Sequence, residues 1–199
     1  MLIPGFLAGD SSLATLGDWL RRRDYRVGFS GIRWNVGCAD RILGGLAERV
    51  ERLSTDSGGP VQIVGHSRGG LLGFALAGLR PDLVSRLITL GSPLVDNFDI
   101  AVPTGVAVAG ARYLEYALHP ESRERGCFTA DCSCPFAEAT QAQSGLTVPV
   151  TCVVTPDDGV VSPAACVLPG ADVYQVRGTH IGLAFNKDVY RILGDVLAS

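Results

Sequence analysis

The sequence predicts an α/β fold: a mostly parallel sheet flanked by helices, in one domain spanning residues 1–199. Three observations lead there. Short runs of β-type residues alternate with stretches of helical spacing, the pattern of parallel strands joined by crossover helices. The length of 199 residues suits one sizeable hydrophobic core. The run Val61-Gln62-Ile63-Val64 reads as a short strand buried on both faces.

The elements follow in order. Leu2 to Phe6 reads as a first strand, turning at Pro4-Gly5. Leu13, Leu16 and Leu20 give Leu13 to Arg23 one apolar helical stripe, and Arg26 to Phe29 reads as a second strand. Asp40 to Leu53 places Ile42, Leu43, Leu46, Val50 and Leu53 on one helix face, and Ser54 to Pro60 is a loop by composition. After the strand Val61 to Val64, a helix runs from Arg68 to Leu79, where Arg80-Pro81 stops it. Leu87 to Leu90, Val150 to Val154 and Asp172 to Val176 are further strands, and Asn186 to Leu197 is a final helix. Residues 100–147 break this rhythm. The segment is long, carries three cysteines, and reads as a small cap or lid, helical in part over Thr104 to Leu118 and irregular over Cys127 to Pro135.

Composition narrows the function classes. Seventeen basic against 20 acidic residues, with no long basic run, leave no electrostatic footprint for nucleic acid. No run of about 18 apolar residues predicts a membrane span. Lys187 is the one lysine, so lysine-based chemistry has a single candidate, and the Arg- and Ala-rich balance suggests a GC-rich bacterial genome. Met1 to Phe6 lacks the charged segment of a secretory signal, so either the mature chain starts here or an upstream piece has been removed.

Gly65-His66-Ser67-Arg68-Gly69 carries the chemistry. A G-x-S-x-G run between a buried strand and a helix makes a sharp turn that lifts the serine Oγ above the sheet edge, next to a helix N-terminus that favours negative charge. Ser67 is thus the candidate nucleophile. Of three histidines, His66 reads as packing under the turn and His119 as a surface or cap residue. His180 lies just beyond a strand's C-terminal end, where catalytic groups collect in such sheets, and is the candidate base. An orienting carboxylate belongs between them in the chain. Asp158 of Asp157-Asp158-Gly159 is preferred, with Asp157 the alternative and Asp96 a weaker rival. For the oxyanion, the backbone N–H of Arg68 comes with the turn itself, and the N–H of Phe6 is the candidate second donor. The Arg68 side chain reads as a solvent or cap contact.

These blocks resemble the α/β-hydrolases, and among them the minimal bacterial serine lipases and esterases. Ile3-Pro4-Gly5-Phe6 corresponds to the oxyanion loop and Gly65 to Gly70 to the nucleophile turn. Asp158-Gly159-Val160-Val161, with Gly178 to Leu183, supplies acid and base. The resemblance implies a Ser67–Asp158–His180 triad, an oxyanion hole from Phe6 and Arg68, and a sheet lacking the fold's leading strands. It also implies hydrolysis of a small, hydrophobic acyl ester without metal or organic cofactor. Two departures stand out: Pro4 replaces the histidine that minimal lipases carry before the glycine, and the cap insertion is absent from lid-less members. A thioesterase or acyltransferase on carrier-bound chains would use the same residues, and a non-catalytic binding protein on this fold is the reading from another class.

Six cysteines (Cys38, Cys127, Cys132, Cys134, Cys152, Cys166) admit 15 complete pairings. The irregular Cys127-x4-Cys132-x-Cys134 spacing gives a zinc site little support and favours a disulfide pinning the cap, Cys127 with Cys132 or Cys134, with a further link to Cys166 conceivable. Cys152 reads as a buried thiol. Cap disulfides would imply secretion, and their absence the cytoplasm.

Overall fold

The computed structural model describes residues 1–141 and 146–198. Five strands, β1 (Leu2–Ile3), β2 (Val61–His66), β3 (Val84–Leu90), β4 (Val150–Val154) and β5 (Asp172–Gln175), pair in chain order, all parallel. Parallel pairing demands a crossover between neighbours, and helices supply it. α1 (Ala14–Arg21) and α2 (Ala39–Ser57) lie between β1 and β2, α3 (Arg68–Leu79) between β2 and β3, and α7 (Lys187–Ala198) follows β5. Between β3 and β4 the chain forms α4 (Val102–Leu118), α5 (Pro120–Glu124) and α6 (Pro135–Gln141). Among the described residues no helix is long and apolar enough to cross a membrane.

Period-two alternation divides the strand residues between two cores. Val64, Ile88 and Val153 face one side, packed with Leu13, Leu16 and Leu20 and with Val189, Leu193 and Val196 of α7. Ile63, Leu87 and Cys152 face the other, packed with Leu43, Leu46 and Val50 of α2 and with Leu72 and Leu76 of α3. Helix α3 lies deepest. Nine of its residues, Gly69 to Ala77, are buried, because its small residues allow backbone-close packing on β2 and β3.

Several boundaries differ from the sequence reading. The stretch Arg26 to Phe29 is not a strand: only Phe29 bridges to Leu2, on the outer edge of β1. Helix α2 runs on to Ser57, through the segment read as loop, and ends where Gly58 takes a left-handed conformation (φ 76°). β3 starts at Val84, and β1 is only two residues long. The Cys127–Cys134 segment is a succession of turns, and Pro135 opens a helix rather than closing irregular chain. Part of the 100–147 stretch, residues 142–145, lies outside the described residues.

The disulfide expectation fails. All six cysteines are free thiols. Cys127 faces Cys38 at 3.1 Å between sulfurs, a partner more than eighty residues away that spacing within the insertion could not reveal. Cys166 lies apart from that group, against the Ser162 carbonyl, and Cys152 is fully buried in β4 as expected.

Candidate active site

Every candidate residue leaves the sheet at the same edge. Phe6 follows β1, Ser67 follows β2, Asp158 follows β4 and His180 follows β5, so parallel strands deliver them to one end of the molecule. Ser67 has φ 53° and ψ −126°, a conformation that a non-glycine residue holds only under constraint. The constraint is visible. Ser67 N–H donates to the Leu90 carbonyl (2.8 Å), and the Ser67 carbonyl accepts from Gly70 N–H (2.9 Å). Glycine is required on both flanks by close approach rather than by φ. A Cβ on Gly65 would lie 2.5 Å from Gly70 backbone, and one on Gly69 only 2.2 Å from the Ile3 carbonyl oxygen.

His180 is buried, and its Nδ1 donates to Asp158 Oδ2 at 2.7 Å. That bond fixes the proton on Nδ1 and leaves Nε2 as the acceptor nitrogen. The other carboxylate oxygen, Asp158 Oδ1, accepts the N–H groups of Val160 and Val161, both at 2.9 Å. Burial pushes the Asp158 carboxyl up, but the His180 bond and these two N–H donors outweigh it and hold it below the usual carboxylate value. Asp157 instead donates its N–H to Thr155 Oγ1 and is exposed. Asp96 accepts from Phe98 N–H on the cavity wall, away from the imidazole Nδ1 that Asp158 occupies. His119 sits at the α4–α5 junction beside Glu121 (3.5 Å).

Ser67 and His180 open onto one cavity of about 790 Å³. Its walls are mainly apolar, with Phe6, Leu7, Phe98, Phe128, Ile181 and Phe185 among them. The Phe6 N–H points to no acceptor among the described residues, and Arg68 opens α3, where the first N–H groups have no intrahelical partner. Leu7 N–H, by contrast, is taken by the Asn35 carbonyl.

Four features went unseen in the sequence. Asn35, fully buried, donates from Nδ2 to the Pro4 carbonyl (2.8 Å) and accepts from Arg68 Nη1 at Oδ1 (3.0 Å). The Arg68 side chain is therefore more than a solvent contact: of the two alternatives expected, the contact with the cap is present, through Phe128. It is partly buried, also donates to the Asn35 and Gly37 carbonyls (3.1 and 2.6 Å), and lies 5.9 and 5.2 Å from the ring centres of Phe6 and Phe128. Burial lowers its guanidinium to about 10, so it stays charged at neutral pH. His66 does more than pack: its Nε2–H donates to the His180 carbonyl (2.9 Å), tying the nucleophile turn to the base-bearing loop. Thr155 Oγ1 donates to the Gly178 carbonyl (2.7 Å), joining the acid loop to the base loop. Of these, only Thr155 had a sequence signal, a hydroxyl residue at a strand end two positions before the Asp pair.

A family model described as the alpha/beta hydrolase fold matches residues 38–115. No curated protein matches the sequence significantly. Solved structures do. The chain is similar to a monoacylglycerol lipase of Paleococcus ferrophilus (TM-score 0.66, 14% identity, 98% of this chain and 92% of that one). It is also similar to the mature form of the Bacillus licheniformis lipase BlEst2 (0.68, 14%, 98% and 90%). A third is a thioesterase domain from the curacin biosynthetic pathway (0.61, 16%, 100% and 89%). The chain has the α/β-hydrolase fold, with a five-stranded parallel sheet flanked by helices.

Proposed function

We propose that this chain, an α/β-hydrolase by fold, is a serine hydrolase that cleaves carboxylic esters through an acyl-enzyme. The single observation that carries the reading is the 2.7 Å His180–Asp158 bond beside a serine held in a strained strand-to-helix turn, with Ser67 and His180 both opening onto one cavity. His180 Nε2 takes the proton of Ser67 Oγ as that oxygen attacks the acyl carbonyl. Asp158 holds the imidazole in the required tautomer and stabilises the imidazolium that forms. The oxyanion rests on the N–H groups of Phe6 and Arg68. His180 then returns the proton to the leaving alcohol, and a water, activated in the same way, releases the acid. Residues 100–147 act as a cap that shapes access, and the apolar walls favour a hydrophobic acyl chain.

A fluorophosphonate probe tests the assignment directly. Wild type labels at Ser67, whereas Ser67→Ala neither labels nor turns over p-nitrophenyl esters, with kcat lower by about 10⁴-fold or more. Labelling that persists in Ser67→Ala overturns it. A second reading, a thioesterase, is favoured by the same cavity and by the likeness to a thioesterase domain. Matched oxygen esters and thioesters of one acyl chain, compared by kcat/KM, separate the two.

A further inference from the structure

Beside the cavity, four cysteines converge from two distant parts of the chain. Cys38 Sγ lies 3.1 Å from Cys127 Sγ, and Cys132 Sγ lies 2.9 Å from Cys134 Sγ. The two pairs are not separate. The Cys38 thiol also interacts electrostatically with that of Cys134, and the Cys127 thiol with that of Cys132, so the two pairs form one cluster of four sulfurs. The sulfurs of Cys127, Cys132 and Cys134 all lie within 4.8 Å of one another. A zinc ion bound by four thiolates at about 2.3 Å spaces them about 3.8 Å apart at the corners of a tetrahedron. The two closest separations, 2.9 and 3.1 Å, are shorter than that spacing, but the gathering of Cys127, Cys132 and Cys134 around one point, with Cys38 against Cys127, is what one shared ion needs and two independent disulfides do not.

Two further observations point to negatively charged sulfur at this place. Cys38 stands at the N-terminus of the nineteen-residue α2, where the helix dipole favours an anion. The partly buried guanidinium of Arg68, whose Nη2 donates to the adjacent Gly37 carbonyl, supplies a fixed positive charge nearby.

From this geometry we infer that Cys38, Cys127, Cys132 and Cys134 bind one structural Zn²⁺. Binding displaces one proton from each thiol: Zn²⁺ and four R–SH give a tetrathiolate of net charge −2 and four protons, with no change in oxidation state. The centre closes the site with protein ligands alone, as structural zinc does, and leaves no open position for chemistry. Its place explains its use. It clamps the turns between α5 and α6 onto the N-terminus of α2, where Arg41–Glu115 and Arg125–Asp40 ion pairs already bring the two together. Cys127 neighbours Phe128, which lies over Arg68, so the clamp also fixes one wall of the cavity.

The test uses the full chain purified under reducing conditions without chelator, and it needs no substrate. Elemental analysis is expected to give about one zinc per chain, falling at least about fivefold in Cys132→Ser and in Cys38→Ser but not in Cys166→Ser. Cys132 is the least buried of the four, so its replacement keeps the fold, checked by circular dichroism. Cobalt added to the chelator-stripped protein is expected to show the visible bands of tetrahedral thiolate coordination, and zinc is expected to raise Tm in wild type but not in the two variants. Denatured wild type with chelator is expected to titrate six thiols. Two thiols and no zinc would show disulfides instead and overturn the inference. So would six thiols without metal, zinc retained in both variants, or stoichiometric iron in place of zinc. None of these readouts depends on ester hydrolysis, so the clamp and the proposed activity stand or fall separately.

Discussion

Asn35→Ala is the substitution that most sharply probes how the oxyanion loop is held. Asn35 is completely buried and serves two partners, the Pro4 carbonyl through Nδ2 and Arg68 Nη1 through Oδ1. Alanine leaves the Pro4 carbonyl without its side-chain donor, at a cost of about 1–3 kcal/mol. It also removes one acceptor of a partly buried guanidinium, but Arg68 keeps the Asn35 and Gly37 carbonyls, so that loss falls at the low end of about 1.5 kcal/mol for charged donors. The sum is about 3 kcal/mol, or a Tm lower by about 6–12 °C for a chain of this size. The catalytic effect is separate. Pro4 precedes Gly5 and Phe6, so releasing its carbonyl lets the Phe6 N–H drift from the oxyanion position, and losing one such donor lowers kcat by up to about 10²–10³. The expected result is a kcat at least about tenfold lower, with KM little changed, because the donor acts on the transition state. Thermal melts and steady-state kinetics on p-nitrophenyl acetate, well below both Tm values, measure the two effects. Asn35→Asp keeps the acceptor for Arg68 but sets a carboxylate oxygen against the Pro4 carbonyl, so its kcat should fall similarly. A destabilised Asn35→Ala with wild-type kcat would refute the link from Asn35 to the oxyanion loop, and unchanged stability would refute the network itself.

Asp158→Asn keeps the shape of the acid but destroys its pairing with His180 Nδ1–H, and kcat is expected to fall about 10³–10⁴-fold while fluorophosphonate labelling slows in parallel. His66 governs acid stability. Burial lowers its imidazole from 6.5 to about 4, against the raising pull of its bond to the His180 carbonyl. Above pH 6.5 neither state protonates it. As pH falls from 6.5 towards 4 the unfolded chain takes up a proton that the folded one refuses, so up to about 3 kcal/mol of stability is lost. Urea melts from pH 7 to 4 should show that slope, and a slope unaltered in His66→Gln would refute it. Gly69→Ala drives a Cβ into the Ile3 carbonyl and should abolish soluble expression or lower Tm by more than about 10 °C. Gly44→Ala, mid-helix in α2 with open space around it, should instead gain about 0.5–1 kcal/mol in the same melts.

Chain-local signals made part of this legible. The strand–glycine–serine–helix pattern announced the turn at Ser67, and Asp158 and His180 were readable because parallel strands end at one edge. What escaped shared one physical character: it rests on contacts between segments far apart in sequence. Asn35 lies 31 positions from Pro4 and 33 from Arg68, with no motif around it. Cys38 meets Cys127 across 89 positions, so a count of cysteine spacings inside the insertion pointed to local disulfides when the fourth sulfur came from another element. The false strand at Arg26 to Phe29 failed for the opposite reason. Local β-propensity was present, but β1 offers only two residues and one bridge at its outer edge, too little partner to order a second strand.

Pro4 shows how these non-local contacts resolve the departure from the minimal-lipase pattern. A proline at that position has no N–H, and its ring offers no donor to brace the loop as a histidine could. The loop is braced from the other direction, through its backbone carbonyls and one N–H rather than its side chains. Asn35 Nδ2 holds the Pro4 carbonyl, the Asn35 carbonyl takes Leu7 N–H, and Asn35 N–H returns to the Ala8 carbonyl, so the 35–37 segment lies along the oxyanion loop. Arg68 then fixes that segment from the nucleophile turn, and Cys38, the next residue, joins the sulfur cluster through Cys127. Phe6 and Arg68, the two proposed oxyanion donors, are thereby spaced by one hydrogen-bonded side chain of the nucleophile turn itself. A zinc clamp at Cys38 would hold the far end of the same segment. The order of dependence follows: loosening the clamp should disturb the oxyanion donors before it disturbs the His180–Asp158 pair, which is anchored separately by Val160, Val161 and Thr155. Metal removal is therefore expected to lower turnover of esters more than it slows fluorophosphonate capture of Ser67.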